Sequence, residues 1–530
     1  MTSTLPICPD LWSGSSAQDG LLLRMRIPGG ILTGAQSEAI AHFSLHQGGG
    51  YVQVTNRANL QIRELKAAIA PEQFRQFQDL GLASGTVSVD ALRNIMASPT
   101  AGIDAQMLVD TRPLVRAWDA YLQAHAELAA LSPKFSLGLD GGEAVSVRDR
   151  HNDLVLAAEA GSGSDAADPA SAMFRLYLAV EADGLSDTGI LISPQHSMAL
   201  LAALAQVYLD YSQGRQRPDG RRPRLRHAIA EWGMAGYLER VQQCLPFALT
   251  RGALACVGRA PVAAEAHQSE AKGEAIAQID AQIAGQIDAQ ISAHLASYLG
   301  IHPQRQPGLS YIGIALPLGR IEASQLLALA DLAQAAGSGT LRLTPWQTLI
   351  LADIATVDLA EVQTRLAALG FHWSAVRPDS ALVACSGRRA CAAAATDTQA
   401  QALELVTHLE QCLNLTQPLN IHISGCSKSC AQHSPLDMAL VGRSILAADE
   451  MAEAYDLYVG AAVKPFGRQV FQAVEAAAVP RLLEQMIRAY QRQQRSPESF
   501  GSFCDRHSIW QLQQWFQPPA AANPAQRVAS

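Results

Sequence analysis

Four cysteines form two close pairs in the last third of the chain. Cys385 and Cys391 lie in ACSGRRACAAA, and Cys426 and Cys430 lie in SGCSKSCAQ. Two close pairs can hold one metal centre through four thiolates. Zinc ribbons and many ferredoxins place two residues between paired cysteines, whereas these pairs are separated by five and three residues. The wider gaps and the small neighbouring residues favour a [4Fe-4S] cluster over zinc.

The alternative for these cysteines is that they are ordinary buried thiols, since free cysteine is often buried. Cys412 shows what that pattern looks like. It follows an apolar stripe with helical spacing, formed by Ala402, Val406 and Leu409. We therefore expect Cys412 to be a core residue, in contrast to the two pairs beside glycines.

Polar residues alternate with apolar ones in two segments near the N-terminus. Arg24 and Arg26 alternate with leucine, methionine and isoleucine, which predicts a strand with both arginines on one face. A second alternating segment runs from residue 52 to 63, and its polar residues are Gln53, Thr55, Arg57, Asn59, Gln61 and Arg63. We interpret this segment as one strand with a polar, partly cationic face. That face is either a solvent-facing side of a sheet or part of a binding site.

An internal repeat relates the two halves of the chain. Residues 28–63 align without gaps to residues 317–352, an offset of 289 that matches Pro28 with Pro317 and Thr55 with Thr344. Each copy predicts a strand, a turn, a helix and a second strand. The polar row is absent from the second copy, where Trp346 and Ile350 occupy matching positions. This asymmetry favours a site in the first half.

Composition limits the partners. The 530 residues carry 40 Lys and Arg against 48 Asp and Glu, a net charge of −8, which argues against nucleic acid as the main partner. A basic stretch at 214–227 is interpreted as a solvated loop, or alternatively as a dock for an acidic electron donor. Because no apolar run is long enough for a membrane span, we expect a cytoplasmic protein without a membrane partner.

These motifs together resemble the siroheme-dependent nitrite and sulfite reductase superfamily. The resemblance rests on the cysteine pairs and on RMRIPGG, TNRANLQIR, RN, DTRPL and SPKFS, and it extends from about residue 20 to 445. It implies an α+β fold, with a pseudo-twofold repeat of ferredoxin-like half domains plus two α/β domains. It also implies that Cys430 bridges the cluster to a tetrapyrrole iron. The residues that it implies for tetrapyrrole carboxylates and the small anion are Arg26, Arg57, Arg93 and Lys134, with Asn59 and Gln61 as neutral partners.

Six segments follow from the repeat and the resemblance. The expected organisation is a first ferredoxin-like half at 15–88, a first α/β domain at 89–258, an Ala/Gln-rich insertion at 259–295, a second ferredoxin-like half at 296–370, an iron–sulfur α/β domain at 371–516 and a disordered tail at 517–530.

Two activities within this superfamily remain open. Ser136 stands where sulfite reductases have a second lysine and nitrite reductases commonly have asparagine, and the GCSKSC segment replaces the reductases' GCPN form. Both features resemble precorrin-3B synthases, which use the tetrapyrrole as substrate for oxygen-dependent hydroxylation and lactone formation in cobalamin biosynthesis. Under that interpretation we expect a mononuclear iron in addition to the cluster, at a position that the sequence does not give, and an electron donor that is ferredoxin or NADH-linked. His422 and His433 are candidate iron ligands, although a lone histidine is more often structural.

The alternative is a ferredoxin-dependent nitrite or sulfite reductase with bound siroheme. The segments 308–320 and 223–234 resemble the reductases and favour this alternative.

Overall fold

We describe a computed structural model that places residues 11–12, 14–161, 171–180, 184–252, 297–432, 437–447, 450–460, 466–495 and 498–516. The predicted insertion at 259–295, the predicted tail and His433 lie outside the described residues. Within the described residues, no helix is both long enough and apolar enough to cross a lipid bilayer.

Twenty-one strands are described. They are β1 (Ser15–Ala17), β2 (Gly20–Met25), β3 (Ile31–Thr33), β4 (Tyr51–Val54), β5 (Leu60–Leu65), β6 (Ile95–Ala97), β7 (Leu137–Asp140), β8 (Leu154–Glu159), β9 (Met173–Ala179), β10 (Leu185–Ile192), β11 (Thr250–Arg251), β12 (Gly300–Pro303), β13 (Leu309–Ile314), β14 (Arg320–Glu322), β15 (Thr340–Leu343), β16 (Leu349–Ala355), β17 (Leu382–Ala384), β18 (Ile421–Ser424), β19 (Met438–Ala447), β20 (Glu450–Val459) and β21 (Arg468–Glu475).

The α-helices of the described residues pack on these strands. They are α1 (Gly34–Gln47), α2 (Pro71–Asp79), α3 (Arg112–Ala124), α4 (Ser197–Ser212), α5 (Leu225–Gln243), α6 (Ala323–Ala336), α7 (Leu359–Ala368), α8 (Thr398–Cys412), α9 (Val479–Gln493), α10 (Phe500–Asp505) and α11 (Ile509–Phe516).

The two ferredoxin-like halves exchange a strand. The first half sheet has the order β1-β2-β5-β4-β14, so its last strand comes from the second half. The second half sheet has the order β12-β13-β16-β15-β3, and its last strand comes from the first half. Helices α1 and α6 pack against each other, and one apolar core contains residues from both halves. The halves therefore fold as one unit.

The repeat extends to the helix caps. The backbone N–H of Thr33 donates to the Gln36 side chain at the start of α1, at 2.9 Å. The N–H of Glu322 donates to the Gln325 side chain at the start of α6, at 3.0 Å. In a capping box, the side chain of the third helical residue accepts from the backbone N–H of the N-cap residue, which otherwise has no partner in the helix. Both contacts are of this kind. The aligned residues thus have the same local role, which confirms the predicted repeat of ferredoxin-like halves.

Two further sheets complete the fold, and each has a parallel part. One has the order β11-β10-β9-β8-β7-β6, in which β6, β7 and β8 are parallel. The C-terminal sheet has the order β17-β18-β19-β20-β21, in which β17, β18 and β19 are parallel. Parallel strands end together at one edge, so the loops at that edge can build a site.

Candidate active site

Two of the four predicted cysteines lie at the carboxyl edge of the C-terminal sheet. Cys385 directly follows β17, and Cys426 follows β18 after a single glycine. The backbone N–H of Cys385 continues the strand pairing by donating to the Ile423 carbonyl at 3.0 Å. The N–H of Gly425 donates to the Cys385 sulfur at 3.2 Å. Adjacent parallel strands therefore bring the two cysteine pairs together, although 34 residues separate Cys391 from Cys426.

Glycines allow the close approach of backbone that this edge requires. Gly387 has a φ of 66°, and a Cβ there would lie 2.7 Å from the Thr398 nitrogen. A Cβ on Gly425 would lie 2.6 Å from the Ala394 Cβ. Both distances are shorter than van der Waals contact, so larger residues would displace the loops that carry the cysteines.

The other two cysteines lie on the loops beyond these strands. The N–H of Cys391 donates to the Gly387 carbonyl at 2.9 Å, which closes a tight turn after Cys385. Cys430 is an exposed residue, but its thiol is partly buried, and this burial raises the pKa of the thiol. The charges of Cys385, Cys426 and Cys391 raise this pKa further. The four thiols therefore form one electrostatic group. A cationic iron–sulfur cluster is the partner that suits four neighbouring thiolates, because it neutralises charges that otherwise repel.

Side chains at the start of α8 support Cys385, and they are not among the predicted site residues. The Thr398 hydroxyl donates to the Cys385 carbonyl at 2.7 Å and lies 3.6 Å from the Cys385 sulfur. The Gln399 amide donates to the same carbonyl at 2.8 Å. Hydrogen bonds around a ligating sulfur orient it and influence the reduction potential of a cluster. The only sequence signal was Asp397, a residue type that favours a helix N-cap, directly before Thr398.

The predicted cationic residues lie around the amino ends of β6, β7 and β8. Arg57 belongs to the turn between β4 and β5, and its Nη1 donates to the Asn152 Oδ1, just before β8, at 3.1 Å. Lys134 is exposed and lies in the turn before β7.

The structure corrects one expectation about the polar segment. Residues 52–63 do not form one strand, because a tight turn at 55–59 folds the segment into a hairpin.

Asn59 and Gln61 have different surroundings. Asn59 is buried; its Oδ1 accepts from the Ile27 N–H at 2.8 Å, and its Nδ2 donates to the Asn94 Oδ1 at 3.1 Å. These two hydrogen bonds join the hairpin to the segment after β2 and to the segment before β6. Gln61 lies within β5, opposite Arg24 of β2, and is partly exposed. A role of either side chain toward a tetrapyrrole stays a prediction.

Arg26 and Arg93 are both buried. The Arg26 Nη1 donates to the Arg24 carbonyl at 3.3 Å, directly beyond the end of β2. Arg93 forms a two-point ion pair with Asp119, with N–O distances of 2.8 and 3.0 Å, and also donates to the Gly81 carbonyl. The internal ion pair is the role of Arg93 that this structure shows. A contact with a tetrapyrrole carboxylate stays a prediction for both arginines.

Ser136 points into the first α/β domain. It is buried, its Oγ donates to the Asp153 Oδ2 at 3.4 Å, and it accepts from the Asp153 N–H at 3.2 Å. Asp153 in turn accepts from Arg224 at 2.9 Å. The hydroxyl is therefore engaged inside the domain.

His422 lies within β18. Its ring is fully buried, neither ring nitrogen has a hydrogen-bond partner among the described residues, and burial lowers its pKa to about 4. A role as an iron ligand stays a prediction.

The turn Pro317–Gly319 lies between two parts of the candidate site. One is the β4–β5 hairpin that carries Arg57, here called the cationic hairpin, and the other is β17, which leads to Cys385. Leu318 packs in the same core as Leu382 and Ala384 of β17, directly before Cys385. The Leu318 carbonyl accepts from the Gln53 side chain of β4 at 3.0 Å. The hairpin that carries Arg57 and the strand that leads to Cys385 therefore lie on either side of this turn. Binding of a tetrapyrrole at this boundary stays a prediction; cations on one side and thiols on the other are the groups that it would need.

The repeated halves and the four-thiol group define a redox protein with an iron–sulfur centre. Two family descriptions match the chain: the nitrite/sulfite reductase ferredoxin-like half domain over residues 15–80 and 302–369, and the nitrite and sulphite reductase 4Fe-4S domain over residues 88–248 and 379–523. The chain therefore belongs to the nitrite/sulfite reductase family and is an oxidoreductase. The family supports a [4Fe-4S] cluster with siroheme as its cofactors.

Similar proteins span nearly the whole chain. A ferredoxin–nitrite reductase of Synechococcus elongatus is 29% identical over 475 residues, which is 88% of this chain and 85% of that protein. A ferredoxin–nitrite reductase of Leptolyngbya laminosa is 30% identical over 84% of this chain and 81% of its own length. The structure of the Mycobacterium tuberculosis NirA protein matches with a TM-score of 0.72 and 22% identity, covering 93% of this chain and 84% of that chain. These names support the reductase alternative over precorrin-3B synthase.

Proposed function

We propose that this protein reduces a small oxyanion with electrons from a ferredoxin, and that nitrite is its substrate. The observation that carries the proposal is the position of the four-thiol group and the cationic hairpin on either side of Leu318. The nitrite reductases named above, which align over more than four-fifths of their length, support the choice of nitrite. Reduction of nitrite to ammonium consumes six electrons and eight protons and releases two waters, so an enzyme of this kind must accept electrons repeatedly.

The cofactors would be held by residues from both sides of this boundary. Cys385, Cys391, Cys426 and Cys430 would hold the cluster, and the siroheme would supply the iron at which the anion is reduced. Arg57 and Lys134 would attract the anion and the tetrapyrrole carboxylates, since guanidinium and ammonium groups pair well with carboxylates in a site shielded from water. The Gly425 N–H would stabilise charge on the Cys385 sulfur, and the Thr398 hydroxyl would fix the Cys385 backbone through its carbonyl.

Basic side chains surround the exposed end of the cysteine group. Lys428 is exposed between Cys426 and Cys430. Arg388 and Arg389 expose 62% and 78% of their side chains, and each also pairs with a carboxylate at 2.6 Å, Arg388 with Glu453 and Arg389 with Asp397. Such a surface would attract an acidic donor and speed its association at low ionic strength. A ferredoxin that docks here would deliver electrons close to the cluster.

The first test is the cofactor content of anaerobically purified protein. We expect iron–sulfur absorbance together with one siroheme per chain after pyridine extraction, and nitrite-dependent oxidation of reduced ferredoxin. Protein that carries a cluster, contains no siroheme and does not reduce nitrite would contradict the proposal.

Ser136 favours a second candidate function. Its hydroxyl is engaged with Asp153, so the position that the resemblance assigns to a second anion-binding side chain offers no cation or amide to an anion. The candidate is precorrin-3B synthase. This reaction inserts one atom of O₂ into precorrin-3A and releases the other as water, with two electrons and two protons from a donor. Oxygen-dependent turnover of precorrin-3A by siroheme-free protein would support this candidate.

A further inference from the structure

A second cluster of metal-binding side chains lies far along α8 from the cysteine group. His408 and Cys412 are four residues apart on α8, and Glu484 faces them from α9. One ligand atom from each side chain lies within 4.8 Å of the other two, and all three side chains are partly buried. We propose that these three residues bind a divalent cation, with zinc as the metal that suits them best.

The spacing on α8 presents the two ligands on one face. Residues four apart on a helix are neighbours, so the His408 ring and the Cys412 thiol point to the same side. That side faces α9, because the His408 Nε2 lies 2.8 Å from the Glu484 Oε2. The helical apolar stripe predicted that Cys412 is a core residue. In the structure its side chain packs at the margin of the core and is partly exposed.

The carboxylate of Glu484 is already oriented by a neighbour. Its Oε1 accepts from the Arg488 Nε at 2.8 Å, which leaves Oε2 directed at His408. Arg488 also donates to the Cys412 carbonyl at 2.7 Å, so it connects two of the three ligand residues. Hydrogen bonds of this kind, to the far side of a ligand, orient ligands at metal sites.

The distances are compatible with tetrahedral zinc. Zinc–ligand bonds of about 2.1 to 2.3 Å give ligand–ligand distances of about 3.4 to 3.8 Å. The His408–Glu484 distance would lengthen by about 0.6 Å, and the remaining separations are already below 4.8 Å. One nitrogen, one sulfur and one oxygen ligand leave a fourth position for water, and mixed donors of this type suit zinc over magnesium or calcium.

Binding would release one proton. The Cys412 thiol loses its proton to solvent as the sulfur–zinc bond forms. The Nε2 proton that His408 donates to Glu484 moves through solvent to Nδ1, so Nε2 binds zinc as part of a neutral ring and Glu484 binds through its carboxylate. The site would join α8 to α9. Because α8 begins at Thr398, which bonds the Cys385 carbonyl, zinc would stabilise the helix that supports the cysteine group.

The test is zinc uptake by the full chain with its cofactors in place. Wild-type protein, Cys412→Ser and His408→Ala are each incubated with zinc chloride, desalted and analysed for zinc and iron. We expect one zinc per wild-type chain with unchanged iron, and loss of that zinc in both variants. Cys244→Ser is the matched control, because Cys244 is an exposed cysteine at the end of α5, and it should bind zinc like the wild type.

Thermal unfolding provides a second readout. Zinc at about 100 times its dissociation constant should raise the unfolding midpoint of the wild type by about 2 °C and leave Cys412→Ser unchanged. Wild-type protein that binds no zinc would overturn the proposal. So would zinc uptake that persists in Cys412→Ser, or uptake that occurs only as iron is lost, which indicates displacement at the cluster.

Discussion

The Arg57 Nη1 donates to the Asn152 Oδ1 at 3.1 Å, and this hydrogen bond crosses from the first ferredoxin-like half to the adjoining α/β domain. Arg57 lies at the tip of the β4–β5 hairpin, and Asn152 lies directly before β8. The contact places the Arg57 guanidinium near the amino ends of β7 and β8, where Lys134 also lies. A site assembled in this way depends on the relative placement of two sheets.

Arg57→Ala tests whether this guanidinium binds the anion. A hydrogen bond from a charged group contributes about 1.5 to 3 kcal/mol, which corresponds to a loss of roughly 10- to 150-fold in affinity. We therefore expect the KM for nitrite to rise at least about tenfold. Arg57→Lys should recover only part of this loss, because lysine keeps the charge but not the planar pair of donors.

Two control variants separate binding from folding at Arg57. Arg75→Ala removes an exposed arginine from α2 of the same half and should leave the KM unchanged. Asn152→Ala removes the protein partner of Arg57 and should raise the KM less than Arg57→Ala does. A KM in Arg57→Ala equal to that of the wild type would show that Arg57 does not contact the anion.

Ser136→Ala tests the orientation of the Ser136 hydroxyl. The variant loses a buried hydrogen bond to Asp153, so the unfolding free energy should fall by about 1 kcal/mol while kcat/KM for nitrite stays the same. Ser44→Ala is a matched control, since Ser44 is a buried hydroxyl that donates to the Tyr51 carbonyl. A tenfold fall in kcat/KM without loss of stability would instead place the hydroxyl at the substrate.

The repeat could be predicted from the sequence because local motifs of the first copy recur in the second copy. Gln36 and Gln325 return to the helix N-terminus in both copies, and Gly30 and Gly319 have φ angles of 73° and 69°. These features depend on neighbouring residues, so they are visible in a local pattern. The cysteine spacing was informative for the same reason, since each pair lies on one tight loop.

The strand exchange between the halves could not be predicted from such patterns. β3 and β14 are three residues long, which is too short for a periodic signal, and each pairs with a strand more than 260 residues away in the sequence. The hairpin at 55–59 was missed for a different reason. The alternation of polar and apolar residues is interrupted only at Asn56 and resumes after the turn, and the turn places non-glycine Ala58 at a φ of 52°.

Cys426→Ser tests the cluster ligands. Serine is a weak ligand for iron, so the variant should lose the brown iron–sulfur absorbance and retain its first half in folded form. Cys244→Ser, which changes an exposed cysteine outside the group, should keep the absorbance and the iron content. An unchanged cluster spectrum in Cys426→Ser would exclude Cys426 as a ligand.

The buried carboxyl of Glu143 should lower the free energy of unfolding of the protein as the pH rises. Its side chain is 4% exposed just beyond β7, its Oε2 accepts from the Gly141 N–H, and its Oε1 has no partner among the described residues. Burial raises the pKa of Glu143 to about 8, and the charge of Asp140 adds to this effect. The folded state therefore holds a proton at neutral pH that the unfolded state has released.

This difference fixes the sign of the pH dependence. The protonated Glu143 contributes its full stability below the ordinary carboxyl pKa, and the contribution is lost as the pH rises toward about 8. Each pH unit well inside that window costs about 1.4 kcal/mol, and this slope falls as the pH approaches 8, so the loss between pH 6 and pH 8 is about 2 kcal/mol. Glu143→Gln keeps the shape of the neutral carboxyl without the titration. Urea unfolding at both pH values should show that loss in the wild type and in the exposed-site control Glu72→Gln, but not in Glu143→Gln. If all three proteins lost the same stability, Glu143 would not be the group that carries the proton.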